Sequence, residues 1–177
     1  MSIPQQKFRE IVFQFLFSQD LGQASDAEMI LLLKKELSVS KKAVQEALSR
    51  ARIILSKLSE IDELITETST SYRFQRIQSV ERNILRLGVY ELLFDDTIPP
   101  KVAIAEAMRL SRKFSTPESA TFVNALLDAL YKSKIGKEVD EKRLSVSSEA
   151  LSQSEEIANT ASKRSKKQKD AKKDPSQ

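Results

Sequence analysis

The densest group of chemically active side chains in this 177-residue sequence is Lys163, Arg164, Lys166, Lys167, Lys169, Lys172 and Lys173, set against Asp170 and Asp174. Such a run attracts polyanions and offers no covalent chemistry. It carries +5, and because the whole chain carries +4, residues 1–162 hold −1. The basicity therefore belongs to the tail, and the remainder is nearly neutral. Cysteine and histidine are both absent, which removes Cys/His metal sites, thiol nucleophiles and imidazole acid–base catalysis together. Glycine occurs only at Gly22, Gly88 and Gly136, so no glycine-rich loop can wrap a phosphate. These residues predict a protein that is not an enzyme and needs no cofactor or metal.

The elements that would position any binding side chain read as helices. Pro4 precedes Phe8, Ile11, Val12, Phe15 and Leu16, spaced as one helical face, and Gly22 supplies a left-handed stop. Phe13 and Phe17 widen that face, as in a helix buried on more than one side. Ser25 and Glu28 form a capping box for a second helix from Asp26 to Leu37. Ser40 caps a third, whose apolar spacing persists to about Glu67 with a break expected near Ser59. Thr and Ser dominate residues 67–71 and predict a loop.

A fourth helix is predicted from about Arg76 to Phe94. Pro99 and Pro100 start another, and Thr116-Pro117-Glu118 starts a last one that Gly136 can end. The fold class expected is all-α: two packed antiparallel helical bundles, about 4–68 and 72–135, within a domain of residues 1–135. Residues 136–177 read as a disordered Ser/Lys-rich tail. No apolar run approaches the roughly 20 residues that span a bilayer, and the first residues do not read as a signal peptide. A soluble cytoplasmic protein with no membrane partner is expected.

Three motifs carry a resemblance. Val80-Glu81-Arg82-Asn83-Ile84-Leu85-Arg86-Leu87-Gly88-Val89-Tyr90-Glu91-Leu92-Leu93 resembles a helix of the NusB family, V-E-(K/R)-x-(I/V)-L-R-(I/L)-A-x-Y-E-L. It is followed in family order by Ile98-Pro99-Pro100-Lys101-Val102-Ala103 and by Ser119, Phe122, Val123, Asn124 and Asp128. Residues 4–132 are covered and the tail is not. The resemblance implies an RNA-binding transcription antitermination factor that takes single-stranded boxA-type RNA jointly with the ribosomal protein NusE. It also implies joining the RNA polymerase elongation complex and supporting ribosomal RNA operons.

Carried over position by position, the resemblance assigns RNA contacts to Lys7, Arg9, Phe17, Glu118 and Phe122, and NusE contacts to Glu81 and Arg86. Each has a second reading. Lys7 and Arg9 read equally as a solvated helix start, and Pro4, Gln5 and Gln6 replace further basic residues of the family, which predicts weak RNA binding with a shallow salt dependence. Phe17 is a base-stacking face or a core residue. Glu118 closes an RNA site or neutralises a helix dipole, and Glu81 and Arg86 set partner register or are solvated charges. Gly88 reads as a point of close helix approach.

The lysine-rich tail is either a nonspecific RNA tether or a solubilising segment. The competing functional reading is a helical protein-interaction module that has kept NusE binding only. RNA cytosine methyltransferases that carry a NusB-like domain are a further comparison, but their catalytic domain has no counterpart here. Family members differ in oligomeric state, and a homodimer would cover the RNA surface.

Overall fold

The computed structural model describes residues 3–22, 25–71 and 73–138. Among them the ordered elements are helices, and no strand occurs. We label them α1 (Gln5–Leu21), α2 (Asp26–Leu37), α3 (Lys41–Ser56), α4 (Leu58–Thr68), α5 (Ser79–Leu93), α6 (Pro100–Phe114) and α7 (117–132), with a 3-10 turn at Phe74–Arg76. The described residues up to 132 form one compact unit, and residues 133–138 fall outside it.

The expected punctuation is present. Gly22 closes α1 at φ 63° and returns its N–H to Gln19 and Ser18, a left-handed geometry that glycine adopts without a Cβ penalty. Ser25 and Glu28 complete a reciprocal capping box on α2. Ser40 accepts from the Ala43 N–H at the start of α3, Pro100 opens α6, and the Thr116 hydroxyl accepts from the Ser119 N–H at the start of α7.

The break expected near Ser59 falls at Lys57, where the Ser56 hydroxyl donates to the Ile53 carbonyl and this local bonding competes with continued winding. Two boundaries differ from expectation. The fourth predicted helix starts at Ser79, not Arg76, because Gln78 is extended and residues 74–76 wind as a separate 3-10 turn. Gly136 does not end a helix: residues 133–138 are helical, and Gly22 holds the positive φ among the described glycines. Glycine weakens a helix interior by about 1 kcal/mol but does not force a stop. The predicted disordered tail lies, from residue 139 on, outside the described residues.

Two helices form the interior. α1 buries Ile11, Val12, Phe13, Phe15 and Leu16 together with Arg9, Glu10 and Ser18, so it is enclosed on nearly every side, packed on α3 and α5. α5 is buried almost continuously from Asn83 to Leu92 and packs on α1, α4 and α6. Large apolar side chains enclosed in this way stabilise by about 1.5–3 kcal/mol each. Gly88 marks the tightest approach: a Cβ there would lie 2.9 Å from Leu127 Cδ1 and 3.4 Å from Ala107 Cβ. Its bare backbone lets α6 and α7 close on α5.

Candidate functional site

The two cations at the start of α1 are committed inward. Arg9 is buried, and its Nε donates to both Glu91 carboxylate oxygens, at 2.8 and 3.0 Å, with Glu106 3.8 Å from the same guanidinium. Burial pushes the Glu91 carboxyl above its ordinary value, and Arg9 offsets this only in part. Lys7 is half-buried and donates 2.7 Å to the carbonyl of Leu37, the last residue of α2, satisfying an acceptor that the helix end leaves open. One turn on, Glu10 accepts 2.7 Å bonds from both Arg109 and Lys113 of α6. The cationic face that the sequence suggests for this end is thus largely neutralised by neighbouring carboxylates and a carbonyl.

Phe17 lies ten residues further along α1, about 15 Å at the helical rise. It is half-buried and stacks on Phe13 with ring centroids 5.8 Å apart; Phe13 in turn meets Phe114 at 4.8 Å. This aromatic ladder ties α1 to the end of α6. The next residue, Ser115, and Ser119 on α7 each donate 2.5 Å to Oε1 of Glu81. Burial raises the Glu81 carboxyl, but the two hydroxyls outweigh that and leave it below its ordinary value. It is therefore ionised at neutral pH.

Its other oxygen, Oε2, is buried and has no side-chain partner among the described residues. Glu81 lines a groove of about 300 Å³ together with Arg76, Gln78, Glu118, Ser119 and Phe122. Glu118 is exposed and Phe122 half-buried. The groove thus combines a negative floor, a second carboxylate at its rim, the Arg76 side chain and an aromatic wall. Chemically it suits a donor group beside a flat apolar or aromatic one. Of the residues singled out in the sequence, Glu81, Glu118 and Phe122 come together here, whereas Lys7 and Arg9 lie at the opposite end of α1.

Arg86 points elsewhere. Its guanidinium forks onto Asp62 of α4 at 2.8 and 2.7 Å, and also reaches Asp20 of α1 at 3.0 Å and Asn83 at 3.1 Å. Asp20 further accepts from Arg82 at 2.8 Å, Asn83 at 3.1 Å and the Ser79 hydroxyl. Burial would raise the Asp20 carboxyl, but these donors hold it far below the carboxylate range. Arg86 thus locks α1, α4 and α5 together and presents little to a partner.

Sequence reasoning missed Asp20, Asp62, Ser79 and Ser115. The Ser115 and Ser119 pair carried a signal, four residues apart beside a helix start, but nothing linked it to Glu81, 34 positions away. Among the described residues no cluster of three or more carboxylates could hold a metal ion, and no helix is long and apolar enough to cross a membrane.

Comparison with known proteins gives this arrangement its context. The NusB family model matches residues 6–132. The chain belongs to the NusB family. The transcription antitermination protein NusB of Desulfosudis oleivorans is 32% identical over 135 residues, covering 75% of this chain and 88% of the relative. The transcription antitermination protein NusB of Thermotoga maritima is 37% identical over 138 residues, covering 78% and 97%. Among solved structures, a crystal structure of antitermination factors NusB and NusE in complex with dsRNA contains a similar chain. There the TM-score is 0.63 and the identity 28%, covering 73% of this chain and 96% of that one. The NusB match spans the groove and both buried ion-pair networks, and ends where the compact unit ends.

Proposed function

We propose that this chain is a non-enzymatic, cytoplasmic RNA-binding transcription antitermination factor that acts together with NusE. The observation that carries the reading is the groove that gathers the ionised Glu81 carboxylate, Glu118 and Phe122 in one place. A donor from NusE would pair with the ionised Glu81 carboxylate, while the half-buried rings of Phe122 and Phe17 stack bases of a single-stranded boxA-type RNA. The names of the relatives, and the NusB–NusE complex with RNA, support this assignment. At the finer level the factor joins the RNA polymerase elongation complex and acts on ribosomal RNA operons. Lys7 and Arg9 serve the fold more than the phosphates.

Fluorescence anisotropy with a labelled boxA-like RNA, with and without NusE, tests the reading. Sequence-preferring binding that tightens with NusE, and that weakens for Glu81→Gln only when NusE is present, is the expected result. The alternative reading, a module that kept NusE binding alone, draws on the commitment of Lys7 and Arg9 to internal partners; NusE capture with no RNA preference would establish it instead.

A further inference from the structure

The neutralised start of α1 leaves open where RNA phosphates are held, and the turn before α5 supplies an answer. Arg9, Arg50, Arg52, Arg82, Arg86 and Arg109 each meet a carboxylate. Among the described residues Arg73, Arg76 and Arg112 are exposed and form no ion pair, and the first two lie together. Arg73 and Arg76 line a hollow of about 510 Å³, whose wall also includes Thr70, Ser71 and Gln75 and, among the described residues, contains no acidic one. Arg73 is the cap and Arg76 the last residue of the 3-10 turn, closed by a 2.8 Å bond from the Arg76 N–H to the Arg73 carbonyl. Residues three apart in such a turn lie on one side, so two like charges stand together, neither in an ion pair among the described residues, with Glu81 and Glu118 across the groove that Arg76 also lines.

The turn is anchored from beneath. Phe74, between the two arginines, packs against the core, with the guanidiniums of Arg82 and Arg86 5.7 and 5.8 Å from its ring centre. The Arg73 and Arg76 pair therefore sits on a fixed base. Arg76 also lines the Glu81 and Phe122 groove, so the two concavities share it.

We infer that Arg73 and Arg76, with the hydroxyls of Thr70 and Ser71, form a phosphate-binding site for the backbone of the RNA strand whose bases occupy the adjoining groove. Guanidinium forks match phosphate oxygens two at a time, and the hydroxyls add donors. The absence of an acid from the wall favours an anion, and continuity with the aromatic groove favours a polynucleotide over an acidic peptide. This inference rests on the RNA-binding reading above.

The test compares the full chain with Arg73→Gln/Arg76→Gln and with Arg73→Lys/Arg76→Lys, using labelled boxA-like RNA across a salt series, and NusE capture in parallel. Each lost phosphate contact lowers the salt slope by about 0.7 on a single strand, so the glutamine variant should lose about 1.4. Raising salt from about 50 to about 200 mM then weakens the parent about sevenfold more than that variant. The lysine variant should keep the slope and bind less tightly. Residues 163–173 contribute equally to all three chains, so the difference isolates the turn.

An unchanged slope in the glutamine variant overturns the site. Loss of NusE capture with RNA binding unchanged overturns it too, assigning the turn to an acidic protein surface. A parent chain that binds no RNA, even with NusE, overturns the underlying RNA reading itself and is recognised before any substitution is compared.

Discussion

Replacing Arg9 by methionine separates a structural from an RNA-contacting arginine. In the fold its guanidinium is buried against Glu91, which is itself buried. Methionine keeps much of the side-chain volume but strands the carboxylate without its cation. Breaking a buried pair in this one-sided way costs about 3–5 kcal/mol, whereas replacing both partners by apolar residues is often neutral. At about 4 °C per kcal/mol for a unit of this size, Arg9→Met should melt about 12–20 °C lower, and Arg9→Leu/Glu91→Leu close to the parent.

The deficit should depend on pH with a definite sign. The Glu91 carboxyl already lies above its ordinary value in the fold, mainly through burial, and losing Arg9 raises it further. A carboxyl that binds its proton more tightly when folded adds stability at low pH and loses it as pH rises through the folded value. The penalty of Arg9→Met should therefore shrink from about pH 8 to about pH 5. Urea titrations followed by far-UV circular dichroism at several pH values measure both effects, with a constant m-value confirming that stability alone has changed. A loss under about 1 kcal/mol, or a fall of about 0.7 in the RNA salt slope with stability intact, would refute the reasoning and return Arg9 to the RNA surface.

Two further substitutions probe the interior. Asp20→Asn should destabilise the fold by about 3 kcal/mol at neutral pH, because Arg82 loses its carboxylate and Arg86 one of its two. Since the Asp20 carboxyl is depressed below its ordinary 3.8, its contribution is complete above that pH and drains away below it. The parent should thus lose stability from about pH 4 toward pH 2 more steeply than the variant in acid titrations. At Gly88, valine should cost about 1–3 kcal/mol by crowding Leu127 and Ala107, whereas alanine should stay within about 1 kcal/mol of the parent, its better helix propensity offsetting the shift of Leu127. Thermal melts that failed to separate the two would show that α7 yields freely.

The helices were legible because each carries its own start and stop signals. Pro4 with Gly22, Ser25 with Glu28, Ser40, Pro100 and Thr116 are local devices, readable within a few residues. The 3-10 turn before α5 was not, since the chain there follows the burial of Phe74 and Ile77 against distant partners. The same contrast holds at the site. The groove residues Glu81, Glu118 and Phe122 were identified by resemblance and meet in space. Arg9 and Arg86 were identified by the same route, but charge type alone does not tell whether a guanidinium faces a phosphate or an internal carboxylate. Their partners Glu91, Asp20 and Asp62 lie 82, 66 and 24 positions away, beyond the reach of any local spacing rule.

That separation has a consequence for how the chain is made. α1 emerges first from the ribosome, yet its ionic and aromatic partners are supplied by α5 and α6, the Arg9 and Glu91 pair being 82 residues apart. At about 5–20 residues per second, the nascent α1 waits about 4–16 s for its counterpart. α3, which also packs on α1, arrives earlier and can cover part of Ile11, Val12, Phe13, Phe15 and Leu16, all sealed in the finished protein, so the face left open through that interval is the one α5 closes. Slowing translation before codon 94 therefore lengthens the exposure of the α1 face that α5 seals.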